Sequence, residues 1–239
     1  MSISERSFAD RLQRAVTIQT ATAVFLPAFD PTDTSLEPAA FLTFIGTLET
    51  LNTEVGTLSA QYTTGVAQRT PMVADIKERS ARVLEYVKSN SAWKAFLPGV
   101  KKFVDKIRNN LAKAPKAPSP EETPGSPPAK KRNQGEQSFG EIKDNFEKLI
   151  ATLAAVPGYN PPAAELSIAN LTTLATGFSA QNFTMSTLGI TLGMKQKARL
   201  EGYDGPGGLK DKMKSTKSAV RSQYGTNSPA NEQVKGIGL

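Results

Sequence analysis

The sequence predicts an all-α protein: two tandem antiparallel helical bundles, related by internal duplication and joined by a Pro-rich disordered linker. Three observations predict it. Apolar residues recur at three- and four-residue spacing along most of the chain, and no stretch of useful length alternates as a strand would. Residues Ala112 to Gln137 hold no aromatic residue and no Leu, Ile, Val or Met, but carry Pro115, Pro118, Pro120, Pro124, Pro127 and Pro128. Such a segment buries too little apolar surface to offset the entropy of ordering it. After it, the pattern of the first part starts again. The expected domains are therefore 1–111 as repeat 1, 112–137 as linker and 138–239 as repeat 2.

In the first half, Phe8, Leu12, Ala15, Val16 and Ala23 share one helical face, with Ser4 and Ser7 as candidate N-caps. Pro27 should end or bend that helix, and Asp30-Pro31-Thr32-Asp33-Thr34 reads as a turn. Ser35 is placed to cap a second helix with Pro38 in its first turn. Its stripe is Phe41, Phe44, Ile45, Leu48, Leu51, Val55 and Leu58, and it should run to about Tyr62 or beyond. Thr70-Pro71 is expected to separate it from a third helix carrying Val73, Ile76, Val83, Leu84 and Val87. Residues Ser91 to Ile107 predict a shorter helical piece with a bend at Pro98-Gly99.

In the second half, Ser138-Phe139-Gly140-Glu141 echoes Ser7-Phe8-Ala9-Asp10 at an offset of 131. Phe139, Ile142, Phe146, Leu149, Ile150 and Leu153 form the helix face. The break Pro157 to Pro162 stands where the first half has Pro27 to Pro31. Leu171, Leu174 and Phe178 match Phe41, Phe44 and Leu48 at an offset of 130. Thr184 to Gln196 continues that helix or begins another, and Glu201 to Gly208 is a break. Leu209, Met213, Val220 and Tyr224 then match Met72, Ile76, Val83 and Val87 at an offset of 137. An offset that rises along the chain is what a loop insertion in one copy produces. Gly225 suits a helix C-cap, and Ser228-Pro229 starts a terminal turn.

Composition removes several kinds of chemistry. With no Cys and no His among 239 residues, there are no disulfides, no thiol or Ser-His-Asp catalysis, and no Zn site built from those ligands. The first residues hold no apolar signal core, and Ala21 to Phe29 is too short to span a bilayer. A soluble cytoplasmic protein is expected. The net charge of +7 is spread over both halves and the linker, a mild attraction to acidic partners rather than a specific signal.

The run Gly208-Leu209-Lys210-Asp211 belongs to a C-terminal pattern with Lys217, Tyr224-Gly225, Ser228-Pro229 and Val234-Lys235-Gly236-Ile237. Together with Lys130-Lys131-Arg132, these residues resemble an uncharacterised family of two-repeat, all-helical bacterial proteins. The resemblance implies architecture and no activity.

Candidate sites are few. The glycines of 201–208 lack the Gly-Lys-Ser/Thr of a phosphate loop and the strand that should precede it. The acid pairs Asp75/Glu78, Glu141/Asp144 and Asp144/Glu147 are interleaved with Lys and Arg, as on a solvated helix face. No catalytic, cofactor or metal site is expected. Basic residues remain as a candidate contact surface: Lys101, Lys102, Lys106 and Arg108 in the first half, Lys130, Lys131 and Arg132 in the linker, and Lys210, Lys214, Lys217 and Arg221 in the second half. The expectation is a non-enzymatic interaction or structural protein with two similar helical binding surfaces and another protein as partner. Its alternative is a weakly sequence-specific nucleic-acid-associated protein that uses the basic helices. No membrane contact is expected, and the sequence does not define an oligomeric state.

Overall fold

In the computed structural model, which describes residues 3–108 and 138–238, every regular element is helical. In chain order these are α1 (Ile3–Ala23), α2 (Pro38–Ser89), α3 (Leu97–Arg108), α4 (Phe139–Ala154), α5 (Ile168–Asp204), α6 (Leu209–Tyr224) and α7 (Pro229–Lys235). Single 3-10 turns stand at Thr34–Leu36, Ser91–Trp93 and Ala164–Leu166. The linker expected at 112–137 lies outside the described residues.

Local chemistry explains most boundaries. Ser138 accepts from the Glu141 amide while the Glu141 carboxylate accepts from the Ser138 amide, a complete capping box at the start of α4. Ser228 caps α7 through the Asn231 amide, with Pro229 at the first helical position. Asp33 accepts from Ser35, which starts the turn before α2 and holds the Asp33 carboxyl below its usual range. Between α5 and α6, Gly207 takes φ 70°, and a Cβ on Gly208 would stand 2.8 Å from the Gly202 carbonyl oxygen. That break requires its glycines.

Several expectations need correction. Ser4 and Ser7 are not N-caps, because both lie inside α1, which begins at Ile3. Ser35 does not cap α2 but stands within the 3-10 turn Thr34–Leu36 before it. Thr70-Pro71 does not divide two helices: α2 runs unbroken for 52 residues with Pro71 inside it. Proline leaves one carbonyl without its amide donor and crowds the preceding turn. Thr70 Oγ1 bonds the Val66 carbonyl at 3.0 Å, and Met72, Val73 and Ile76 pack into the core directly after Pro71. Burial on that side outweighs a local cost of about 3 kcal/mol. Pro98-Gly99 is likewise no bend but the first turn of α3, where the missing amide has no intrahelical partner to lose.

The chain forms two compact units. Unit 1 is Met1–Tyr62 with Leu188–Leu239, and unit 2 is Thr63–Thr187. Both divisions fall inside the long helices α2 and α5, so each of the expected halves 1–111 and 138–239 contributes to both units.

Unit 1 consists of α1, the start of α2, the end of α5, α6 and α7. Its main core joins Ala15 and Ile18 of α1, Phe41, Ile45 and Leu48 of α2, Tyr203 of α5, and Leu209 and Met213 of α6. The α2 and α5 segments run antiparallel here: Leu48 packs against Gly202, and Glu54 pairs with Lys195 at 2.7 Å. Tyr203 is fully buried, meets Phe8 edge-on at 4.7 Å, and its hydroxyl accepts from Asn52 at 2.7 Å. A second cluster, Phe25, Phe29, Val220 and Val234, closes the other end of α6.

Unit 2 consists of the end of α2, α3, α4 and the start of α5. Its core runs from Ile76, Val83 and Val87 through Val100, Val104 and Ile107 to Phe146, Leu149, Leu153, Leu171 and Phe178. Arg79 pairs with Asp75 at 2.6 Å and donates to the Glu165 carbonyl, while Arg82 pairs with the Glu165 carboxylate at 2.8 Å.

Candidate functional site

In both units a proline-containing loop leads into a 3-10 turn; side chains of α6 hold the loop in unit 1, and Tyr86 of α2 with Trp93 of a 3-10 turn hold it in unit 2. In unit 2 the loop spans 155–163. Trp93 Nε1 donates to the Pro157 carbonyl at 2.9 Å, and the Tyr86 hydroxyl donates to the Asn160 carbonyl at 2.9 Å. Tyr159 packs against both rings, which also meet each other edge-on, and donates to the Leu166 carbonyl. Burial, with Tyr86 as neighbour, pushes the Tyr159 phenol up to about 12. Val156 is 4% exposed, so the loop is closed over its apolar contents.

The unit 1 loop spans 24–33. Tyr224 donates to the Pro27 carbonyl at 2.6 Å. Gln223 makes two bonds: Nε2 donates to the Ala28 carbonyl at 2.7 Å, and Oε1 accepts from the Asp30 amide at 3.0 Å. A side-chain amide here binds the backbone much as a neighbouring strand would. Phe25 turns inward against the Tyr224 ring. Leu26, by contrast, is 91% exposed and Val24 69% exposed. They rim an open cleft of about 390 Å³ whose other walls are Phe25, Tyr224, Ser228, Pro229, Ala230 and Gln233. Unit 1 also exposes Leu42, Ile190, Met194 and Leu200 on its helices, but Val24 and Leu26 stand on a loop held by three hydrogen bonds. The sequence reading missed them. The available signal was Leu26-Pro27 set against Val156-Pro157, although which side chain turns inward depends on the rings beneath.

The basic candidates divide between the units. On α3, in unit 2, Lys101 pairs with Asp105 at 2.5 Å and Lys102 lies 5.8 Å from the Phe103 ring. At 100° per residue, Lys101 and Arg108 lie on one face with Asp105 between them, while Lys102 and Lys106 lie on another. The structure does not bring these four together. On α6, in unit 1, Lys210, Lys214, Lys217 and Arg221 follow spacings of four, three and four residues and form one row. Lys210, Lys214 and Arg221 are exposed. Lys217 is half-buried, bonds the Ile237 carbonyl, and burial pushes its ammonium below the usual lysine range. Lys212 points elsewhere, to Ser35 at 2.8 Å and over the Phe44 ring. Lys130, Lys131 and Arg132 lie outside the described residues.

Among the described residues, no cluster of three or more His, Cys, Asp or Glu is arranged to hold a metal, and no helix is long and apolar enough to cross a membrane. Comparison of the chain with protein-family models, curated proteins and solved structures returns no match.

Proposed function

We propose that the chain is a non-enzymatic interaction protein, built by duplication of one helical unit and contacting a protein partner through the Val24–Leu26 cleft of unit 1. Duplication is supported by matched details at the offsets read from the sequence. The 3-10 turns Thr34–Leu36 and Ala164–Leu166 stand 130 residues apart, and each buries its leucine. Pro27 and Pro157, 130 apart, both offer their carbonyls to an aromatic side chain, though the donors, Tyr224 of α6 and Trp93 of a 3-10 turn, are not counterparts at the offset of 137. Gln223 and Tyr86, which are, both hold the next part of the loop. On this reading α2 in the first copy corresponds to α5 plus α6 in the second, with the insertion at 201–208. The early elements of each copy then pack against the late elements of the other.

The function rests on the point where the copies differ. Val156 is buried, but its counterpart Leu26 stands in solvent on a pinned loop. Burying a leucine and a valine in a partner would contribute about 1.5–3 kcal/mol each, and the loop is already ordered, which lowers the cost of binding. A photo-activated crosslinker at position 26, used in native lysate, should give a discrete adduct. Excess wild-type chain should compete it away, and a Leu26→Asp chain should not. No adduct, or one that both chains compete equally, would remove the cleft reading.

A further inference from the structure

We propose that the exposed row on α6, Lys210, Lys214 and Arg221 with Lys217 at its edge, binds the phosphate backbone of duplex nucleic acid without reading its sequence. The inference is independent of the cleft. The row places about one cation per helical turn over about 16 Å of helix. Its acidic neighbours are limited. Asp204 is occupied by Arg11 at 2.7 Å, which with Lys210 nearby holds that carboxyl below its usual range. Asp211 accepts from the Gly207 amide at the start of the helix, and Glu232 pairs with Lys235 on α7. Lys214 and Arg221 form no ion pair among the described residues. Beside the row stand exposed Ser215, Ser218 and Ser222, short hydroxyl side chains that let a backbone approach and can donate to phosphate oxygens.

The same face argues against base recognition. It carries no aromatic residue on which a base could stack, and Tyr224, the one aromatic residue of α6, is committed to Pro27. Backbone contact alone is the mode that remains. α3 makes a poorer surface because Asp105 sits between its cations.

The test is fluorescence anisotropy of the full chain with a labelled random duplex of about 20 base pairs. Three phosphate contacts predict a log affinity that falls with log salt at a slope of about −3, and a Kd on the order of 10⁻⁴–10⁻⁵ M at low salt. Lys214→Glu with Arg221→Glu should weaken binding at least about tenfold and lower the slope to about −1. The α3 pair Lys102→Glu with Arg108→Glu changes net charge equally and should retain most of the binding. All four positions are exposed, and each pair replaces one last-turn arginine, so thermal melts should show the same small loss for both pairs. Absence of binding at low salt, or equal loss from the α3 and α6 pairs, would overturn the assignment.

Discussion

At the scale of single residues, buried polar groups make the sharpest predictions. The Asn52 amide donates to the Tyr203 hydroxyl inside the unit 1 core, while Asn52 Oδ1 is buried without a hydrogen-bond partner. Tyr203→Phe leaves the donor orphaned as well and should cost about 1–3 kcal/mol in denaturant unfolding. Adding Asn52→Leu should recover part of that loss, because an apolar pair avoids stranding a polar atom. In unit 2, burial raises the Tyr159 phenol to about 12 from an ordinary 10.0. The folded state therefore keeps a proton that the unfolded state releases between those values. Stability from this group should be fully present below about pH 10 and lost as pH rises towards 12. Tyr159→Phe should remove that alkaline decline from the melting profile, leaving the part due to other groups. Lys217 has the opposite sign: its lowered pKa means a stability cost below the folded value, relieved as pH rises towards 10.5. Leu26→Ser, at an exposed position, should leave the melting temperature unchanged.

At the scale of elements, Pro71 is the decisive residue. Within α2 it lacks the amide that a helix interior uses, yet the helix continues because Met72, Val73 and Ile76 pack into the core directly after it. Pro71→Ala should therefore stabilise the chain, by about 1–3 kcal/mol, measured as a raised denaturant midpoint with unchanged slope. A lowered midpoint would mean that the helix depends on its proline. The boundaries legible in the sequence were those set by short-range chemistry. Ser138 with Glu141, Gly225, Ser228-Pro229 and the Pro157–Pro162 loop all stand where their residues placed them. Pro71 and Pro98 were misread because a proline's effect depends on neighbours beyond its own turn. In one case the surrounding core overrides it, and in the other it occupies a first turn.

At the scale of the whole molecule, periodicity gave each helix a buried face and left its partner open. Ala15, Leu209 and Met213 were each legible as core positions, yet nothing local says that α1 and α6 share one core. The sequence suggested that each half folds on itself, whereas each compact unit draws on both halves. The same limit applies to the surface. The α6 row was legible as charge, because its spacing lies within one helix. Leu26 was not legible as an exposed residue, since its exposure follows from Phe25, Gln223 and Tyr224 meeting across 195 residues or more of chain.

That shared construction is tested most directly by cutting the chain. A specific protease site placed within 112–137 separates the covalent halves and leaves every described helix intact. The two fragments should stay together in native size-exclusion chromatography, eluting with the uncut protein and parting only in denaturant, because each unit needs both. Separation into two folded fragments in native buffer would contradict the account.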